Sequence, residues 1–336
     1  MKLRIRGLTI ALVGITIVAH ATVASSQSVA VEINQTVGAS SENVAAAATQ
    51  VRVFGEAAAG VRFMSEAAWA ARSSGETDAF GAAYPYANRA QVIEAYGERM
   101  FEPGPFLLGI RGGRYRTPFG ISSGSDHAYN GFLRAPLIRY DDYYALSNNF
   151  LEQGADVIVG VPQLTLEVSA AAPSDVGEAG RRSGLDTVVR GQGTLGALIV
   201  GMSYIQTRPY QDESYAKGHA VFTGVDARFM RGGVQVRGEW IAGQPFDGTT
   251  TTGGYADLIV HRPSMGPITA VMRVEHLAYE VGSPYELYGT RYTEGARLRV
   301  LGRLTAAIDV IHQSGALPQR RSTTVDVGVT YSVRSH

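Results

Sequence analysis

The residue types best suited to bond chemistry crowd into one stretch, where Ser122, Ser123, Ser125, Asp126 and His127 bring nucleophile, acid and base close together. A hydrolytic dyad needs its members to converge at hydrogen-bond distance from separate strands or a fixed turn. Adjacency within one connecting segment provides no such convergence. The sequence has no G-x-S-x-G and no H-E-x-x-H segment, and its 7 histidines lack metal-ligand spacing. These observations argue against an enzyme, a bound metal or a cofactor.

A second set of residues could steer solutes rather than break bonds. Arg228, Arg237, Glu239, Arg273, Glu275, Arg297 and Arg299 sit at alternating positions of apolar runs late in the chain. The segment 117–149 carries charge of both signs in Arg134, Arg139, Asp141 and Asp142. Opposite charges held across a narrow aqueous gap create a field that orients whatever passes. The expectation is that Asp141 and Asp142 face the wall arginines across such a gap. The competing reading is that wall charges pair with one another and the segment is merely solvated.

Such charges need strands to position them. Val234, Val236 and Trp240 share one face of a strand, while Gln235, Arg237 and Glu239 share the other. The same grammar runs through Leu164–Ser169 and Val225–Phe229, and through Val325, Val327, Val329 and Tyr331 near the end. A soluble sandwich buries the apolar face, whereas a membrane barrel turns it outward to lipid and lines its lumen with the polar face. Connection lengths separate the two. Short links fall at 58–59, 101–104, 161–162, 194, 231, 263–266 and 301–302, and long ones at 37–49, 72–89, 117–149, 172–184, 208–218, 244–253, 282–289 and 314–322. Strict alternation of long and short is the habit of outer-membrane barrels. The reading is all-β: a closed antiparallel transmembrane barrel of about sixteen strands, with fourteen as the fallback, long extracellular loops and short periplasmic turns.

Composition agrees. The chain has 336 residues, formal net charge +0 and no cysteine, so no basic excess exists to neutralise nucleic-acid phosphates. Lys2, Arg4 and Arg6 precede the apolar run Leu8–Val18, and Ala19-His20-Ala21 follows as a cleavage site. Residues 1–21 therefore read as a signal peptide, with the cut as late as 26, and 27–336 as one barrel domain.

At Gly113-Arg114-Tyr115-Arg116-Thr117-Pro118-Phe119-Gly120 the sequence resembles the phosphate-selective porin (O/P type) superfamily. Pro118 has no N–H to give a ladder, and Gly120 permits the change of direction that follows. The resemblance implies an outer-membrane channel for small hydrophilic solutes or ions, surrounded by outer-membrane lipid and assembled as a homotrimer. General diffusion porins are similar in folding a long third loop into the barrel, which implies the same for 117–149. Two departures stand out. The expected lumen face carries Glu56, Glu66, Asp156, Glu167, Asp186, Asp226, Asp309 and Asp326 besides the two glutamates above, about as many acids as arginines. The chain also ends Tyr331-Ser332-Val333-Arg334-Ser335-His336, without the terminal aromatic usual in such barrels. A non-conducting structural or adhesive barrel is the alternative function.

The mature chain is expected to begin at Thr22. Mass spectrometry of the protein recovered from outer-membrane fractions checks this, and an intact Met1 in the inner membrane would overturn it.

Overall fold

The computed structural model describes residues 28–57, 60–73, 89–121, 132–139, 151–173, 185–207, 219–245, 248–284, 286–315 and 322–335. Sixteen strands close into one antiparallel barrel in which each strand pairs with its sequence neighbours and the last pairs with the first. They are β1 (Ser28–Ser40), β2 (Val44–Ala57), β3 (Val61–Arg72), β4 (Arg89–Phe101), β5 (Leu107–Arg116), β6 (Leu151–Val161), β7 (Leu164–Pro173) and β8 (Asp186–Leu195). The second half comprises β9 (Leu198–Gln206), β10 (Val221–Arg231), β11 (Val234–Gln244), β12 (Thr251–Val260), β13 (Ile268–Tyr279), β14 (Leu287–Leu301), β15 (Leu304–Gly315) and β16 (Thr323–Ser335). The closing seam runs from Val31 opposite Ser335 to Ser40 opposite Asp326.

Burial along the strands is inverted relative to a water-soluble fold. On β16 Asp326 is 0% exposed, while its neighbours Val325 and Val327 are 37% and 45% exposed. On β11 Arg237 and Glu239 are buried, and Val236 and Trp240 are exposed. The polar set faces the lumen and the apolar set forms an outward belt, the arrangement a barrel needs in hydrocarbon.

The first connection differs from the expected long loop at 37–49. β1 and β2 run on until only residues 41–43 join them, with Gly38 opposite Ala46 and Ala39 opposite Ala45. Small residues fill both strands there, so hydrophobic alternation, the cue used for the sequence reading, vanishes while backbone pairing continues. At the other end of the barrel Gly232 and Gly233 have φ of 60° and 78° and form a two-residue hairpin between β10 and β11. Positive φ at both central residues matches the right-handed twist of the flanking strands.

Val225 lies midway along β10 with its side chain outward and 49% exposed. In refolding titrations into lipid bilayers, Val225→Arg should destabilise by roughly 2–4 kcal/mol if it sits near the midplane. Gln235→Arg, on the lumen side of β11, should leave stability nearly unchanged. The reverse order would mean that the faces are inverted.

Candidate functional site: the lumen and the segment inside it

The chain enters the lumen where β5 stops. Pro118 cannot extend the ladder, the Phe119 amide turns back to the Thr117 carbonyl at 2.8 Å, and Gly120 takes φ of 59°. The positive φ favours glycine, and a Cβ there would also meet the Glu239 carboxylate and displace it. The Gly120 amide donates to Ser203 Oγ at 3.1 Å and the Ile121 amide to Glu239 Oε2 at 3.1 Å. Ser203 and Glu239 belong to β9 and β11, well around the wall from β5. Phe119 is buried over Gly224, whose absent Cβ would stand 2.9 Å from the ring.

Residues 132–139 lie along the other half of the inner wall. The Leu133 amide donates to Asp309 Oδ2 at 2.9 Å, and the Leu137 amide to Glu275 Oε1 at 2.8 Å. The wall also donates: Arg273 Nη1 reaches the Arg134 carbonyl at 3.2 Å, and Arg291 Nη2 the Ala135 carbonyl at 2.6 Å. Backbone buried away from a ladder must find partners, and charged side chains of the wall supply them here. The side chains fit as well. Leu133 fills the space over Gly328 and Ile138 that over Gly253, where a Cβ would come within 2.8 and 3.2 Å of them. The Arg273 guanidinium lies 4.0 Å from the Phe132 ring centroid.

Arg134 is the anchor of this segment. Its guanidinium grips Asp326 through Nε at 2.6 Å and Nη2 at 3.1 Å, and Nη2 also reaches Glu42 at 2.8 Å and Ser40 Oγ at 3.2 Å. Those partners lie on the last strand and on the first hairpin, so Arg134 straddles the seam.

The wall itself is a mesh of ion pairs. Asp257 accepts from Arg237 at 2.8 Å and from Arg273 at 2.6 Å, Arg291 meets Glu275 at 2.6 Å, and Arg297 meets Asp309 at 2.8 Å. Arg190 meets Asp226 at 2.6 Å. On the β2–β7 side Arg116 joins Glu66 at 2.6 Å and Glu94 at 3.3 Å, and Arg111 joins Glu98, Asp156 and Glu167 at 2.8–3.1 Å.

Of the residues singled out in the sequence, Arg237, Glu239, Arg273 and Glu275 are buried on the inner wall, and Arg297 is half-buried beside Asp309. Arg228 donates to Gln192 at 2.7 Å, whereas Arg299 is exposed near the short-turn end of β14 and apart from this mesh. Arg116 turns inward to its glutamates, while Arg114 donates to the Ile93 carbonyl at 3.3 Å. The backbone of Arg139 closes a short 3-10 turn, Leu137–Arg139. Its side chain, Asp141, Asp142 and the Ser122–His127 cluster lie outside the described residues. In the described part the loop brings a cation to wall acids.

The sequence reading passed over Asp257, Arg291 and Arg190, and also an apolar patch on the inner face. Val188, Ile205, Phe222, Ile241 and Leu277 are buried there with Phe119, Leu137 and Ile138. The signal was present: Ile241 shares its face with Arg237 and Glu239, and Leu277 with Arg273 and Glu275. The inner face turns apolar toward the long-loop end, where the segment covers it.

No protein-family model matches the chain, and no curated protein matches it in sequence. Solved structures do. The outer-membrane protein OmpT of Vibrio cholerae, in trimer form, superposes with a TM-score of 0.61 at 10% identity over 92% of this chain and 99% of that one. OmpF of Salmonella typhi, in complex with daunomycin, gives 0.62 at 11% identity over 91% and 97%, and the anion-selective porin of Comamonas acidovorans 0.61 at 10% over 92% and 100%. The chain has the porin fold. At such identity the likeness concerns the path of the backbone alone, and the contacts of the porin-fold lumen described above are this chain's own.

Arg134→Ala removes the partner of a fully buried carboxylate, a change that costs about 3–5 kcal/mol in buried pairs. Urea titration should register a loss of that order, and limited proteolysis should open the segment 132–139. The variant Asp326→Asn combined with Arg134→Ala should lose less than the two single changes added together.

Proposed function

We propose that the chain is an outer-membrane porin, a passive channel for small hydrophilic solutes or ions, and that the loop 117–149 lies within its bore. The observation that carries this reading is the bonding of 132–138 to inward-facing Asp309, Glu275, Arg273, Arg291 and Asp326, which holds backbone inside the wall where water and solutes would pass. Barrel size supports it: about eight strands leave an interior filled by side chains, and about sixteen leave room for an aqueous channel. The apolar outward belt and the leader at 1–21 support an outer-membrane location. A homotrimer follows by analogy with the V. cholerae protein. Transport rather than catalysis fits inner-wall ionic groups that are engaged with one another.

The segment 113–120, resembling phosphate-selective O/P porins, supports a porin and goes no further. Inner arginines are offset by carboxylates among the described residues, so we assign small hydrophilic solutes or ions rather than phosphate. Ion pairing also favours a second reading, a lumen closed to ions in a structural barrel. Conductance separates the two.

In planar bilayers the purified protein should open discrete channels, and deletion between Asn130 and Asn148 should raise their conductance. Asp141→Asn with Asp142→Asn should move the reversal potential toward anions more than Asp212→Asn with Glu213→Gln. Charge in a narrow, partly desolvated bore is screened less than charge on an outer loop. Silent bilayers would favour the closed barrel, and unchanged values in both variants would place the constriction on the wall.

A further inference from the structure

The outward face is not uniformly convex. Across β8 to β14 it carries a hollow of about 910 Å³, and strand register shows its shape. Gly193, Val200, Ala227, Gly238, Ala256 and Val274 are direct cross-strand partners and form one continuous row of mostly small residues. The row two residues nearer the long loops holds Met202, Val225, Trp240, Gly254 and His276, with the Trp240 ring lying over Gly254. The row on the other side holds Leu198, Phe229, Val236, Leu258 and Met272. A low floor between two bulky ridges is a furrow. Its one polar feature is at the β13–β14 end, where His276 Nδ1 and Thr290 Oγ1 pair at 3.2 Å while the His276 ring stacks parallel to Trp240 at 6.4 Å.

We propose that this furrow binds one acyl chain of a bilayer phospholipid, an inference that rests on the membrane location assigned above. The furrow is continuous with the apolar belt, so its occupant comes from the hydrocarbon that meets that belt. Its floor follows the hydrogen-bonding direction from β8 to β13, five of the sixteen strand intervals and about 24 Å at the usual strand spacing. Another barrel wall is convex and rigid and touches such a surface along a narrow line. A flexible chain can follow the arc and fill it. None of the residues on the floor or ridges is an arginine or lysine, so nothing there meets the phosphates of a lipid A headgroup. The floor is also not required small by the barrel. Ala227 and Ala256 point outward and are exposed, so longer side chains there project into the furrow and not into the wall.

The chain carries its own probe, because its 2 tryptophans both face outward: Trp240 on the ridge and Trp69 on β3 away from the furrow. The single-tryptophan forms Trp69→Phe and Trp240→Phe would be reconstituted with phosphatidylethanolamine containing increasing fractions of its acyl-brominated analogue, and quenching measured. Trp240 should reach half-maximal quenching at about a threefold lower bromolipid fraction than Trp69, as a preferential site requires. Ala227→Leu with Ala256→Leu should bring Trp240 back to the Trp69 curve while leaving heat-modifiable gel migration unchanged. Equal curves in the unfilled protein overturn the furrow but leave the membrane location standing, and absence of quenching at either tryptophan defeats both. A preference that survives filling overturns the site. Weaker quenching at Trp240 than at Trp69 assigns the face to another protein chain, and displacement of bromolipid by lipid A alone assigns it to the glycolipid, each against the proposal.

Discussion

The pairing of β1 with β16 is the contact on which the rest of the molecule depends. An open edge would present unpaired N–H and C=O groups to an apolar surrounding, where each costs several kcal/mol. Ten residue pairs from Val31–Ser335 to Ser40–Asp326 remove that edge. Once the wall is closed, every side chain has two destinations only, and the alternation of the strands assigns them. Charges such as Asp257 and Arg273 have no outward option. They are turned toward a space where they satisfy one another or hold whatever chain enters.

That division explains which parts of the structure were legible in the sequence. Strand number, closure and the two faces follow from a period of two repeated along the chain, and the same period sets Arg237, Glu239, Arg273 and Glu275 on the face that the structure buries. The β1–β2 hairpin was misjudged because Ala45, Ala46 and Ala47 carry no alternation even though their backbones pair. Asp257 and Arg291 were passed over where Gly-Gly-Tyr-Ala and the strand edge at 287–290 blur the pattern. Gly224, Gly253 and Gly328 were illegible for a deeper reason. A Cβ at each would meet a side chain of the inserted segment, Phe119, Ile138 or Leu133, far away in sequence, and at Gly253 it would also meet the His276 carbonyl and Leu277 of the next strand. A requirement set by tertiary approach leaves no mark on the strand that bears it.

The structural likeness at 10–11% identity fits the same logic. A barrel constrains the alternation of character, the register and a few turns, while most individual positions are free within their class. What varies is how the interior is filled. Here wall carboxylates accept loop amides and wall arginines donate to loop carbonyls, so much of the lumen charge is spent on architecture.

The position of Arg134 has a bearing on the order of events during assembly. One guanidinium touches the last strand and the first hairpin, and its own segment is tied to β13, β14 and β15. The bonds to β13, β14 and β15 involve neither end of the chain, but the Arg134 guanidinium can hold Asp326 and Glu42 at once only when the last strand lies beside the first hairpin. Full seating of the segment and closure of the seam are therefore coupled, each lowering the loop-closure cost of the other. The clasp completes only as the wall does.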